Sequence, residues 1–108
     1  MNELITHLEE LLQGFGPIRA KRMFGGYGIY HDGLMFALIA DDTLYLKADA
    51  ESRKEFDSLG LPAFRYAKQG KEVTMSYFQA PADMLEAPEQ AVYWARLAYA
   101  AALRAAHR

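Results

Sequence analysis

The chain has 108 residues, of which 52% are hydrophobic and 24% charged, with a formal net charge of −2 and no cysteine. That length is one domain, enough to bury a core without staples, and the lack of cysteine excludes disulfides, thiol catalysis and thiolate metal sites. No apolar run reaches the roughly 18 residues of a membrane span, the N-terminus carries no apolar signal core, and the slight acidic excess argues against an autonomous nucleic-acid binder; the expected location is cytoplasmic.

Leu4, Ile5, Leu8, Leu11 and Leu12 form one apolar face at helical spacing, with Asn2 as N-cap and Gly14 and Pro17 beyond the end. A first strand is predicted from about Arg22 to Tyr30. Asp32-Gly33 is a two-residue hairpin signal, a second strand covers Leu34 to Ala40, Asp41-Asp42 turns the chain, and a third strand covers Thr43 to Lys47. A middle helix follows, capped by Asp49, with Phe56 and Leu59 as its apolar face and Gly60 and Pro62 as its stop. A second hairpin runs from Ala63 to Ala67 and from Glu72 to Phe78 around Lys68-Gln69-Gly70, and Pro81 ends it. The last helix starts near Pro88 and carries a small-residue face through Ala91, Trp94 and Ala95, Ala98, Ala101 and Ala102, and Ala105. The order α-β(3)-α-β(2)-α predicts an α+β fold: two layers, with helices on a mainly antiparallel five-stranded sheet.

Two strands raise questions of surface. Leu34 to Ala40 is apolar at every position, so both its faces should be covered, by helices or by another protein. In the first strand Phe24, Gly26, Gly28 and Tyr30 share one face, and Gly25, Tyr27 and Ile29 the other. Glycines between aromatics leave a trough that could receive the alanine face of the last helix, a small ligand or a partner segment. The alanine stripe and the two-sided strand each offer a contact for a homodimer.

No catalytic, cofactor or metal site is predicted. Gly25-Gly26-Tyr27-Gly28 lies inside a strand, and Lys21 precedes the glycines where a phosphate-loop lysine follows them. His7, His31 and His107 lie in separate elements without metal-ligand spacing, and Ser52, Ser58 and Ser76 fit no nucleophile elbow. Two basic clusters, Arg19, Lys21 and Arg22 and then Arg65, Lys68 and Lys71, interleave with Tyr27, Tyr30 and Tyr66; such a pattern binds nucleic acid or guards a sheet edge. Arg104, His107 and Arg108 suit the negative end of the last helix.

The run Arg22-Met23-Phe24-Gly25-Gly26-Tyr27-Gly28-Ile29-Tyr30, then Asp32-Gly33-Leu34-Met35-Phe36-Ala37-Leu38, Leu44-Tyr45-Leu46-Lys47, Pro62-Ala63-Phe64-Arg65-Tyr66, Met75-Ser76-Tyr77-Phe78 and Trp94 resembles the TfoX/Sxy N-terminal domain family. The resemblance implies the α-β(3)-α-β(2)-α fold, a bacterial cytoplasmic protein and no catalytic activity. It also implies a regulatory or adaptor role through protein contacts in transcription, since full-length members activate competence genes with the cyclic-AMP receptor protein and carry a second, C-terminal domain. The chain reads as a stand-alone N-terminal unit. Arg22, Phe24, Tyr27 and Tyr30 are the candidate partner-binding residues.

Overall fold

The computed structural model describes residues 2–23 and 25–107, without the side chains of 68 and 72–75. Its elements are α1 (Glu3–Leu11), β1 (Arg19–Met23), β2 (Gly26–His31), β3 (Leu34–Ala40), β4 (Thr43–Lys47), α2 (Arg53–Ser58), β5 (Ala63–Lys68), β6 (Lys71–Gln79), a 3-10 turn at Ala82–Leu85 and α3 (Pro88–Ala106). The fold is α+β, and all strand pairs are antiparallel. One six-stranded sheet has the order β1-β2-β3-β4-β6-β5. The second hairpin joins the four-stranded meander β1–β4 through β4 and β6, with Tyr45, Leu46 and Lys47 opposite Gln79, Phe78 and Tyr77.

Six strands replace the five expected because the glycine-rich segment is a hairpin. Gly25 takes φ 77° and turns the chain between Met23 and Gly26, which face each other across β1 and β2. The basic residues Arg19, Lys21 and Arg22 thus form an edge strand of their own. The other hairpins close on pairs of left-handed residues: Asp32 and Gly33, Asp41 and Asp42, Gln69 and Gly70. Two successive positive φ values give the type I′ geometry whose twist matches the strands.

The buried faces of the helices and one face of the sheet make a single core. It includes Leu8 and Leu12 from the α1 segment, Ile29, Ile39, Leu44, Leu46 and Phe78 from the sheet, Phe56 from α2, Met84 from the 3-10 turn, and Trp94 and Ala98 from α3. Asn2 caps α1 through Oδ1, which accepts from the Leu4 N–H at 2.8 Å. The alanine stripe of α3 (Ala91, Ala95, Ala98 and Ala102) is buried in this core over β3 and β4. Small residues there let the helix approach the sheet closely, so the stripe is internal packing. Leu59, expected inside, caps the C-terminus of the six-residue α2 and is 56% exposed.

The fully apolar β3 has a local cause. Its register against β2 shifts between Ile29 and Tyr30, so that Ile29 faces Ala37 and Tyr30 faces Met35, and Phe36 is the extra residue. The bulge puts both Phe36 and Ala37 into the helix-side core. Leu38 points the other way and is still only 5% exposed. Among the described residues neither the helices nor the alanine stripe cover that second face. The glycine trough lies on it too: a Cβ on Gly28 would meet the sulfurs of Met23 and Met35 and the Tyr30 ring. The sheet's own long side chains fill the trough.

Candidate partner-binding surfaces

Strand pairing assigns each sheet residue to a face. Lys21, Gly28, Leu38, Tyr45 and Gln79 lie in one row across five strands, and Arg19, Tyr30 and Met35 lie in a neighbouring row. Both rows occupy the side opposite Leu44, Leu46 and Phe78, which belong to the core. Lys47 and Tyr77 pair on the same helix-free side.

Aromatic rings and cations alternate there. The Lys21 Nζ stands 4.8 Å from the Tyr30 ring centroid, and the Lys47 Nζ stands 5.3 Å from that of Tyr77. Tyr45 and Phe64 have centroids 4.9 Å apart, and Phe64 stacks on Tyr66 at 6.0 Å. Tyr77 is the buried floor of this layer, and burial, with Tyr30 close by, pushes its phenol up to about 12. Lys47 also donates to the Ser76 hydroxyl at 2.7 Å.

Of the four sequence-predicted residues, the three that are described do not share one face of the sheet. Arg22 is exposed on β1 and paired with Tyr27. Tyr27 is half-buried and packs against the helix-side core. Tyr30 projects to the opposite face of the sheet. Phe24 lies outside the described residues. The two basic clusters also separate. Arg19, Lys21 and Arg22 lie on one edge strand, and Arg65 lies on β5 at the other edge, beside a helix-side hollow that Arg53 and Asp49 share.

Sequence reasoning missed Tyr45, Phe64 and Lys47 as surface groups. The alternation of Leu44 and Leu46 with Tyr45 and Lys47 carried the signal, but only the cross-strand register shows that Tyr45 and Phe64 meet.

A second polar centre ties the helix layer together. Asp49 accepts from the Ser52 N–H at 3.0 Å and from its hydroxyl at 3.2 Å, while the Asp49 N–H donates to Ser52 Oγ at 3.1 Å. The same carboxylate receives Arg104 Nε at 2.6 Å and its Nη2 at 3.0 Å. The hydrogen bond from Arg104 holds the Asp49 carboxyl well below the usual carboxylate range, against the opposing effect of burial. Arg104 thus bridges the last helix to the turn before α2, a role beyond the helix-dipole effect expected of it. All of these groups satisfy one another, and the arrangement is a structural clasp.

His31 is likewise structural. Its Nδ1 donates to the Pro17 carbonyl at 2.7 Å, and its ring packs 4.7 Å from Phe15 and 5.1 Å from Tyr99. Among the described residues no group of three acidic or histidine side chains could hold a metal. No helix there is long and apolar enough to cross a membrane.

The model of the TfoX N-terminal domain family matches residues 10–102. The chain is 31% identical over 104 residues to the DNA transformation protein TfoX1 of Aliivibrio fischeri, an alignment covering 86% of this chain and 50% of that protein. It is 31% identical over 71 residues to Protein Sxy of Escherichia coli, covering 66% of this chain and 34% of that one. The chain therefore spans half the length, or less, of these curated relatives.

Proposed function

We propose, on the premise that this chain belongs to the TfoX N-terminal domain family, that it is a non-enzymatic regulatory or adaptor domain of the competence-regulator type. It acts in the cytoplasm, by protein–protein contact in transcription regulation. The observation that carries this reading is the family match across 10–102, which takes in the whole sheet and most of α3. One relative is named for DNA transformation, which supports the competence side of the proposal.

The β1–β2 hairpin is the contact we assign to the protein partner. β1 is an edge strand, and its outer backbone groups can accept another strand. Arg19, Lys21 and Arg22 are exposed along it and favour an acidic segment. Arg22 and Phe24 are the residues we keep as partner contacts. Tyr27 contributes by holding β2 on the core. A second copy of this chain is the other partner this edge could pair with, since the alanine stripe is internal.

Affinity capture from the source cell's lysate, comparing the wild type with Arg22→Glu, tests the reading. Recovery of a transcription regulator or polymerase subunit that the variant loses is the expected result. Equal recovery by both proteins would remove this surface from the proposal.

A further inference from the structure

The net charge of −2 is an average over two very different faces. Of the 14 acidic residues, only Glu72 stands in a strand, and it pairs with Ala67, at the alternate register from Tyr66 and Lys71. The remaining acids lie in helices, turns or connections. The described helix-free positions of the sheet therefore carry cations and no carboxylate. Arg19 and Lys21 stand at one edge, Lys47 in the middle, and Lys71 toward the far hairpin. Between them sit the half-buried rings of Tyr30, Tyr45, Phe64 and Tyr66.

We propose that this helix-free sheet face is a platform for single-stranded DNA, with bases stacked on Tyr30, Tyr45 and Phe64 and phosphates paired with Arg19, Lys21 and Lys47. The chemistry follows from the components. Every base has a π-face, so aromatic rings on an open sheet bind unpaired strands with little sequence preference, while adjacent cations follow the backbone. A duplex hides its base faces and cannot use the rings. Six strands at about 4.8 Å spacing make a surface roughly 24 Å wide, enough for on the order of four nucleotides. Beside Tyr30, a hollow of about 320 Å³ is lined by Arg19, Lys21 and the carboxylate-bearing Asp32; its two cations against one acid make it the seat for the first phosphate. The hydrogen-bonding groups on the face are few, chiefly the tyrosine hydroxyls, Thr43 and Gln79, whereas RNA recognition leans on contacts to the 2′-hydroxyl. That favours a deoxy strand. The protein contact proposed above shares Arg19 and Lys21 with this platform, but Arg22 belongs to that contact alone and Tyr45 and Phe64 to the platform alone, so Arg22→Glu and the aromatic variant tell the two apart.

The test is fluorescence anisotropy of a labelled oligothymidylate of about 15 nucleotides titrated with the full chain, at salt from about 50 to 200 mM. Binding is expected, with a log–log salt slope near −2, as about three phosphate contacts require. Tyr45→Leu with Phe64→Leu keeps the apolar cover, removes two stacking rings and should weaken binding about 30-fold or more. Lys21→Gln, at an exposed position, should weaken binding and make the slope shallower by about 0.7. Arg96→Gln, in the helix layer, should change neither. No binding at low salt, or binding that ignores both the aromatic and the lysine variants, would overturn the proposal. So would a preference for duplex DNA. Tighter capture of oligouridylate would overturn DNA as the occupant. Equal competition by poly-glutamate would give the face to an acidic protein segment instead.

Discussion

A methyl group on Gly26 would run into the Ile39 carbonyl oxygen, because β2 and β3 approach closely at that point. The obstacle is backbone, which cannot step aside. Gly26→Ala should therefore destabilise the domain by at least about 2 kcal/mol, read by urea denaturation. At Gly28 the obstacles are side chains, the flexible Met23 and Met35 and the edge of the Tyr30 ring, so Gly28→Ala should cost less than Gly26→Ala, about 1 kcal/mol. Reversal of that order would show that the trough, and not the close approach, is what needs glycine. Asp49 makes a second prediction at this scale. Its carboxyl is lowered in the folded state, so its contribution to stability is complete above the unfolded carboxylate range of about 4 and is lost as pH falls below it. Asp49→Asn should lower the melting temperature at neutral pH and flatten the acid limb of the wild-type curve. The sequence suggests Asp49 as the N-cap of the middle helix and Arg104 as a helix-end cation; α2 instead starts at Arg53 with Ser52 as its N-cap, and Asp49 holds Ser52 from the turn before it. The pairing of Asp49 with Arg104, across 55 residues, depends on the docking of α3 and has no local signature.

β3 and β4 were readable to the residue because their limits are set locally, by Asp-Gly and Asp-Asp turns and by strand composition. The break at Gly25 was not, since Gly-Gly-Tyr-Gly suits a bulged strand as well as a tight hairpin. The 3-10 turn was missed for a different reason: its four residues carry no periodicity, and Met84 is buried by its neighbours in α1 and α3. Met84 therefore acts as the wedge of the helix layer. Met84→Ala should cost about 2–5 kcal/mol, the range for emptying a buried aliphatic site. Leu59→Ala on the exposed end of α2 should stay within about 0.5 kcal/mol. The pair of substitutions contrasts a buried apolar residue with an exposed one, and chemical denaturation of both variants checks it.

At the scale of the molecule, one layer of helices serves a sheet that is apolar on both sides at its centre. The other side is closed by the sheet's own aromatics, leaving Leu38 5% exposed and Tyr77 7% exposed although no helix lies over them. This thin second layer explains how β3 can be fully apolar without a covering helix or a permanent partner. The pattern was visible strand by strand in the sequence. Its meaning was not, because the parity facing the helices is fixed only when six strands are in register. The arrangement gives Tyr77 a measurable signature. Its phenol is pushed up to about 12, chiefly by burial, so the neutral form is favoured by folding. That stabilisation is complete below the unfolded tyrosine value of about 10 and disappears as pH rises through the folded value. Wild-type stability should fall between those two limits, and Tyr77→Phe should lose much of that slope while melting normally at neutral pH. Thermal unfolding as a function of alkaline pH makes the comparison. An identical alkaline slope in Tyr77→Phe would mean that the helix-free face is open to water around this ring and that the side chains over Leu38 do not form a closed layer.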